Sequence, residues 1–196
     1  MFIALIVIAC YLIGSISPGI IIAKLKGKGD IRQYGSGGTG ATNVNRTLGT
    51  KYGLLVLLFD CLKSIIPLLI LKFMNFDENL IYFSAIAVMI GHIFPIYHKF
   101  KGGKGVATAL GVLLVIDWKI TLILLVIFVL IVWIFRYISL GSIIAVISFP
   151  LISLSKNDRD LVLFSAFLAL IIIWTHKANI MRLLAGNENR FSFKKS

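Results

Sequence analysis

The nine residues from 100 to 108 combine three glycines and two lysines between two strongly apolar runs. Glycine allows a positive φ and lets backbone N–H groups approach a ligand closely, so such a turn can form a concave anion site. The following apolar run predicts a helix whose N-terminal end adds positive partial charge, and Lys104 adds a full charge there. The stretch predicts a phosphate site formed by Gly102, Gly103, Lys104 and Gly105, with a flexible basic loop as the alternative. It is not an ATP-binding P-loop, because Gly105 stands where Ser or Thr is required.

A second glycine-rich stretch lies between residues 30 and 46. Gly35, Gly37 and Gly40 formally match a dinucleotide-binding pattern, but the strand and βαβ unit which that pattern requires are missing. Arg46 follows with a guanidinium that can bind phosphate through two parallel hydrogen bonds. The stretch predicts a second anion site, with a flexible polar linker as the alternative. Its neutral polar side chains are candidate donors: Ser36, Thr39, Thr42 and Asn43.

A third polar stretch, from His176 to Glu188, follows the last apolar run. His176 and Asn179 share one face of a predicted helix, and Arg182 and Glu188 follow on the same stretch. The alternative is an amphipathic surface helix with an interfacial histidine. For His92, near the end of an earlier apolar run, the alternative to a functional role is likewise an interfacial residue that ends a span.

The composition is that of an integral membrane protein. Of the 196 residues, 59% are hydrophobic and 14% are charged, against about 45–50% apolar and 25% charged in soluble domains. The apolar runs are too long and too uniform for strands, so we predict an all-α helix bundle. No basic residue precedes the first run, so no cleavable signal peptide is predicted. The runs fall at about 2–23, 53–71, 80–97, 106–116, 120–135, 138–155 and 161–175.

Charge predicts the topology. With seven spans, the N-terminus outside and the C-terminus inside, most of the 20 basic residues fall on the cytoplasmic side. If 106–116 does not span, every later segment changes side. The net charge of +12 also suits anionic substrates or lipids. We expect a single domain over residues 1–196, with membrane lipid but no nucleic acid as a partner.

Two charged residues lie inside an apolar run. Asp60 and Lys63 are three residues apart, which places them on one helix face and predicts a structural ion pair in preference to a catalytic one. Cys10 and Cys61 both fall in apolar runs, so no disulfide is predicted.

Together the three polar stretches resemble the bacterial membrane acyltransferase family that uses acyl phosphate to acylate glycerol 3-phosphate. The run from Gly35 to Asn43, GSGGTGATN, is similar to the family motif GSGNxGATN, with Gly38 in place of the usual Asn. The run from 91 to 108 is similar over its whole length. The run from 176 to 188 resembles HRENIxRLxxGxE, with Lys177 and Ala178 replacing Arg-Glu.

The resemblance implies a seven-helix protein of the bacterial inner membrane whose active site faces the cytoplasm. It implies transfer of a fatty acyl group from acyl phosphate to sn-glycerol 3-phosphate, the first acylation of phospholipid synthesis. By this resemblance and the donor pattern, the predicted catalytic residues are Ser36, Arg46, Lys104, His176 and Asn179. Predicted substrate-binding residues are Gly35, Gly37, Gly40, Thr42, Asn43, Gly102, Gly103, Gly105 and Arg182, and Glu188 is predicted to be structural.

The chemistry leaves one alternative open. The attacking hydroxyl must lose a proton, and either His176 or a substrate phosphate oxygen can accept it. The carboxylates are isolated and the histidines far apart in sequence, so we predict neither a metal nor a cofactor. A transporter for phosphorylated solutes would place its binding groups near the bilayer midplane within inverted repeats. Here the polar chemistry lies in loops and no repeat is visible, which favours an enzyme over a transporter or a scaffold.

We predict that all three polar stretches face the cytoplasm. Single cysteines at Gly38, Lys101 and Asn187, in a background lacking Cys10 and Cys61, should resist a membrane-impermeant thiol reagent in intact cells. Labelling at Asn187 alone would mean an even number of spans and would contradict the predicted topology.

Overall fold

The computed structural model describes residues 2–191, and all regular secondary structure within them is helical. This confirms the all-α prediction. Short 3₁₀ turns occur at Ile31–Gln33, Ile96–His98 and Leu154–Lys156. The α-helices are α1 (Phe2–Gly14), α2 (Pro18–Leu25), α3 (Ala41–Leu48), α4 (Thr50–Phe73), α5 (Glu78–Ile93), α6 (Val106–Ile116), α7 (Trp118–Phe135), α8 (Ile138–Ser153), α9 (Arg159–Thr175) and α10 (Lys177–Leu184).

Five helical segments in the described part of the chain are long and apolar enough to cross a membrane. A sixth candidate is the pair α9 and α10, which is bent by 62°. The remaining apolar helix, α6, has only 11 residues. The polytopic membrane bundle is therefore confirmed, whereas seven spans and the N-out orientation stay predictions. The five segments are Phe2–Leu25, Thr50–Phe73, Glu78–His98, Trp118–Phe135 and Ile138–Lys156.

The chain divides into two compact units, Met1–Ile116 and Asp117–Ser196. Unit 1 contains α1 to α6, and unit 2 contains α7 to α10. A single domain over the whole chain stays a prediction.

Close helix packing in unit 1 depends on glycine. A Cβ on Gly14 of α1 would overlap the carbonyl of Val88 in α5, and a Cβ on Gly91 of α5 would overlap the carbonyl of Tyr11. Between α4 and α6, a Cβ on Gly111 would overlap the hydroxyl of Ser64. Small residues let helix backbones approach closely where lipid supplies no hydrophobic drive for association. These contacts hold α5 and α6 where the loop between them emerges.

The first apolar run is broken rather than continuous. Helix α1 ends at Gly14 and α2 begins at Pro18, whose ring lacks an N–H and suits the first turn of a helix. A break of this kind leaves carbonyl groups without helical partners. The carbonyl of Ile16 accepts a hydrogen bond of 2.8 Å from Nζ of Lys63 in α4.

Unit 2 is built around α8. A Cβ on Gly141 would overlap the side chain of Val132 in α7, and Phe149 packs edge to face against Phe164 of α9. Asp117 accepts hydrogen bonds from two N–H groups at the start of α7. Its other carboxylate oxygen pairs with Lys156 at 2.7 Å.

Candidate functional site

The glycine-rich loop connects α5 to α6 in unit 1. Lys99 and Phe100 adopt left-handed backbone conformations with φ of 57° and 58°, and Gly105 has a φ of 87°. Helix α6 begins at the next residue, Val106, as the apolar pattern predicts. Lys104 is half-buried and lies two residues before that helix start, next in the chain to the positive end of α6.

The N–H groups of Gly102 and Gly103 are already used within the protein. Gly102 donates to the carbonyl of Ile93 at 3.1 Å, and Gly103 donates to the carbonyl of His92 at 3.2 Å. These bonds satisfy carbonyls in the last turn of α5. The free N–H groups expected from the glycine pattern are therefore not found at these two positions. Substrate binding by the two glycines stays a prediction.

The two glycines are explained by close contact with His92. A Cβ on Gly102 would overlap the carbonyl oxygen of His92, and a Cβ on Gly103 would overlap Nε2 of the His92 ring. The hydroxyl oxygen of Thr39 lies 3.2 Å from the Cβ position of Gly103. Any larger residue would push the loop away from α5.

A buried charged cluster supports this loop. Asp60 and Lys63 of α4 form an ion pair of 2.8 Å, which confirms the pair predicted from their spacing. Nδ1 of His92 lies 2.8 Å from Nζ of Lys63 and 3.3 Å from the Asp60 carboxylate. His92 is only 6% exposed, so its ring is buried within unit 1. We call these three residues the buried cluster.

Arg32 connects the stretch between residues 30 and 46 to the loop between α5 and α6. Its Nη1 donates to the carbonyls of His98 and Lys101, at 2.9 and 3.0 Å. Its Nε and Nη2 bind the carboxylate of Asp30. These hydrogen bonds from Arg32 hold the pKa of Asp30 below its usual value. The sequence pattern gave Arg32 no role, because its carbonyl partners lie far along the chain and carry no side-chain signal.

Asn43 shapes the glycine-rich stretch between residues 30 and 46. Its side-chain oxygen accepts from the N–H of Ser36 at 2.8 Å, and its nitrogen donates to carbonyls of residues 31, 34 and 38. A Cβ on Gly35, whose φ is 58°, would overlap that side-chain oxygen. Because these hydrogen bonds all go to backbone groups of the same stretch, the side chain of Asn43 holds the backbone of that stretch in place. Its predicted contact with substrate remains untested.

The other predicted residues of this stretch surround Asn43. Ser36 and Arg46 are exposed, and Arg46 lies in the last turn of α3. Gly37 has a φ of 72°, and its N–H donates to the carbonyl of Tyr34. Gly40 precedes α3, which begins at Ala41, and Thr42 lies in the first turn of that helix.

In unit 2, His176 lies at the bend between α9 and α10 and is 2% exposed. Its Nδ1 is 2.8 Å from the carbonyl oxygen of Ile172. A carbonyl can only accept, so Nδ1 carries the proton and the lone pair of the neutral ring lies on Nε2. The backbone thus fixes the tautomer in which Nε2 can act as a base.

The carboxylate of Glu188 accepts three hydrogen bonds from side chains in unit 2. Ser139 and Nδ2 of Asn179 bind one oxygen at 2.9 and 2.7 Å, and Nε of Arg182 binds the other at 2.7 Å. Burial alone would raise the pKa of Glu188, but the bonds from Asn179, Arg182 and Ser139 outweigh it and hold the pKa below its usual value. The side chain of Glu188 therefore positions its neighbours, in keeping with its predicted structural role.

The same carboxylate fixes the orientation of Asn179. The amide nitrogen must face Glu188, so the amide oxygen points the other way. That oxygen is buried and has no hydrogen-bond partner among residues 2–191. A buried acceptor of this kind is available to a donor on a ligand.

The structure brings the first two polar stretches together within unit 1, through Arg32 and through the contact of Gly103 with His92 and Thr39. The third stretch is ordered within unit 2 around Glu188. No group of three or more His, Cys, Asp or Glu side chains that could hold a metal ion occurs in the described part of the chain.

The chain is similar to known proteins over almost its whole length. A family model described as glycerol-3-phosphate acyltransferase matches residues 4–186. The glycerol-3-phosphate acyltransferase of Aquifex aeolicus is 47% identical over 193 residues, covering 95% of this chain and 97% of that protein. The one from Syntrophotalea carbinolica is 46% identical over 189 residues, covering 95% of this chain and 96% of that protein.

Solved structures agree with the sequence matches. The crystal structure of PlsY (YgiH), an integral membrane glycerol 3-phosphate acyltransferase, in its glycerol 3-phosphate form matches with a TM-score of 0.92 and 43% identity. The match covers 98% of this chain and 96% of that chain. The lysophosphatidic acid form of PlsY matches with a TM-score of 0.89, 42% identity and the same coverage.

We predict that Glu188→Gln destabilises the protein, because the bonds to a charged acceptor are each worth about 1.5–3 kcal/mol. A carboxyl group with a lowered folded pKa stabilises above its unfolded pKa, and this contribution disappears as the pH falls through the folded value. The melting temperature in detergent should therefore fall at pH 7, and the difference from wild type should shrink below the ordinary value of 4.5.

Asp160→Asn is the control, since Asp160 is an exposed carboxylate of the same unit. It should melt as the wild type does. A Glu188→Gln melting difference that stays constant from pH 7 to pH 3 would contradict the assigned role.

Proposed function

This chain belongs to the glycerol-3-phosphate acyltransferase family, and we propose that it transfers a fatty acyl group from acyl phosphate to sn-glycerol 3-phosphate. The products are 1-acyl-sn-glycerol 3-phosphate, a lysophosphatidic acid, and phosphate. The observation that carries the proposal is the full-length likeness to PlsY, whose two structures are a glycerol 3-phosphate form and a lysophosphatidic acid form. Those two molecules are the acceptor and the product of the proposed reaction, the first acylation of phospholipid synthesis.

The main physical problem of this reaction is charge. Two phosphorylated substrates must meet, and each carries about −1.5 to −2 if its phosphate behaves like other phosphomonoesters. We propose that Lys104 binds substrate phosphate together with the positive end of α6. We assign Arg46 and Arg182 to phosphate binding as well, because a guanidinium fits two phosphate oxygens at once. Arg182 binds Glu188 through Nε, and that bond holds the side chain in place.

The bond changes are those of acyl transfer. A hydroxyl oxygen of glycerol 3-phosphate attacks the acyl carbon, a new ester bond forms, and the bond from that carbon to the phosphate oxygen breaks. Phosphate is a good leaving group, so no strong general acid is required. The hydroxyl proton passes either to Nε2 of His176 or to a substrate phosphate oxygen. The tautomer of His176 and the unpartnered oxygen of Asn179 support roles as base and as acceptor for a substrate hydroxyl.

A membrane location suits the donor. The acyl chain of an acyl phosphate can stay in lipid while its phosphate reaches a polar loop at the surface. We propose that these loops face the cytoplasm of a bacterial inner membrane, because that side carries most of the basic residues. Ser36, Gly40 and Thr42, in the glycine-rich stretch between residues 30 and 46, are proposed to contact substrate.

The donor is tested with purified protein in detergent. We expect phosphate release from a fatty acyl phosphate in the presence of sn-glycerol 3-phosphate, with formation of lysophosphatidic acid. Acyl-CoA in place of acyl phosphate should give no product, because the sequence shows no soluble domain and no evident pocket for an adenine nucleotide. Comparable turnover with acyl-CoA would contradict the proposed donor.

Lys104 is tested by replacement with Met. A charge-assisted bond to phosphate is worth about 1.5–3 kcal/mol, so kcat/KM should fall about ten- to a hundredfold. Lys104→Arg should recover only part of the activity, because a planar fork does not replace a compact ammonium.

Lys101→Met is the matched control, because it removes the same charge from an exposed position of the same loop. It should keep near wild-type kinetics. Equal kinetics for Lys104→Met and wild type would exclude the phosphate role, and a greatly lowered melting temperature would make Lys104 structural.

A further inference from the structure

We infer that His92 donates a hydrogen bond from Nε2 to a phosphate oxygen bound at the glycine-rich loop, and that Lys63 and Asp60 set the ring tautomer that allows it. The inference rests on the proposed function, since it adds a ligand to the same phosphate site. His92 would be a binding residue, and the two charged residues of α4 would be positioning residues.

The three residues of the buried cluster are almost fully shielded from solvent. Asp60 is 1% exposed, Lys63 8% and His92 6%, and Asp60 and Lys63 lie in a segment that is apolar enough to cross a membrane. Charges in such a position are costly and are usually paired. The cost is offset here because Lys63 contacts the Asp60 carboxylate, the carbonyl of Ile16 and Nδ1 of His92, each at 2.8 Å.

These contacts determine which ring nitrogen carries the proton. The ammonium of Lys63 has three donors and no acceptor. Its contact with Nδ1 of His92 is therefore a bond in which Nδ1 accepts. A neutral imidazole whose Nδ1 accepts must carry its proton on Nε2. Asp60 maintains this arrangement, because its carboxylate stabilises the charged form of Lys63.

The proton on Nε2 then faces the glycine-rich loop. Gly103 lies directly against Nε2, and the oxygen of Thr39 borders the same position. Within residues 2–191, the polar contacts of the His92 ring, the bond from Lys63 and the 3.3 Å approach to Asp60, are both made at Nδ1. The ring of His92 thus holds its Nε2 donor toward this loop, where a ligand can accept a hydrogen bond from it.

A phosphate oxygen is the acceptor that suits this position. The neighbouring Lys104 and the start of α6 are positive, so the ligand that binds there must carry negative charge and several acceptor oxygens. An N–H held on a buried ring adds a directional contact to the charge of Lys104. The phosphate of sn-glycerol 3-phosphate and the phosphate of the acyl donor share this chemistry.

Two replacements of His92 separate the two ring nitrogens. The amide of Asn reaches the position of Nδ1 and can keep the contact with Lys63, but it removes the donor at Nε2. The amide of Gln reaches the position of Nε2 and keeps a donor there. We expect His92→Asn to raise the KM for one phosphorylated substrate about ten- to a hundredfold, and His92→Gln to lose clearly less.

The substrate whose KM rises identifies the bound phosphate, either that of sn-glycerol 3-phosphate or that of acyl phosphate. Both variants lose the same ring, so loss of packing alone would affect them equally. Equal kinetics for the two variants, or wild-type kinetics for His92→Asn, would overturn the inference.

Nitrogen NMR provides a readout that does not depend on turnover. The chain has three histidines, so ¹⁵N-histidine labelling gives a simple spectrum, in which the His92→Gln variant assigns His92. We expect the wild-type ring to be neutral with its proton on Nε2, and the Nε2 signal to shift when inorganic phosphate or sn-glycerol 3-phosphate is added. A proton on Nδ1, or an Nε2 signal that does not shift with either ligand, would overturn the inference whatever the turnover of the variants.

Lys63→Met tests the positioning role. It should change the tautomer signal of His92 and raise the same KM. Lys72→Met is the matched control, because Lys72 lies on the same helix and its Nζ also binds a carbonyl, that of Val115, at 2.9 Å. That variant should leave the His92 spectrum and the KM unchanged. An unchanged His92 tautomer in folded Lys63→Met would exclude the positioning role.

The experiments distinguish failure of the proposed function from failure of the role assigned to His92. If the wild-type protein releases no phosphate from acyl phosphate and sn-glycerol 3-phosphate, the proposed function fails, while the phosphate titration still tests His92. If the wild-type protein is active and His92→Asn matches it, only the role of His92 fails.

Discussion

An ammonium and a carboxylate within the apolar interior of a membrane helix impose the strongest constraint on this structure. Removing each from water costs several kcal/mol, and the cost is offset only with close pairing and further hydrogen bonds. Lys63 meets this demand with Asp60 beside it on α4, with the carbonyl that the break after α1 leaves free, and with His92 at the end of α5. One buried cluster therefore joins three segments of unit 1.

The glycine-rich loop depends on that cluster. Its first two glycines donate to carbonyls at the end of α5 and pack against His92, so their lack of side chains serves close contact. Binding of an anion then falls to side chains, above all Lys104, and to the start of α6. Unit 2 uses a carboxylate in a comparable way, because Glu188, whose side chain is only 5% exposed, fixes Asn179 and Arg182. In both units an acidic residue orients the groups that we propose to act on substrate.

Much of this arrangement follows from the sequence. Hydrophobic runs predicted the long apolar helices, spacing predicted the Asp60–Lys63 pair, and the apolar run after the loop predicted the start of α6. The number of spans did not follow, because an 11-residue helix is about 16 Å long, well short of a hydrocarbon core of about 30 Å.

The contacts of Arg32 and His92 could not be predicted, because they join residues 66, 69 and 29 positions apart. Local periodicity contains no information on such distances. The bonds that occupy the N–H groups of Gly102 and Gly103 were missed for a related reason. A glycine pattern shows that the backbone can approach another group, and only the fold determines whether that group is a ligand or the carbonyl of a neighbouring helix.

The central claim is that substrate phosphate binds at the loop held by the buried cluster. An experimental structure of this protein with sn-glycerol 3-phosphate bound tests it most directly. The account predicts a phosphate oxygen within about 3 Å of Nζ of Lys104, with Nε2 of His92 directed at the same phosphate. A phosphate bound away from residues 102–105, with Lys104 directed elsewhere, would contradict it.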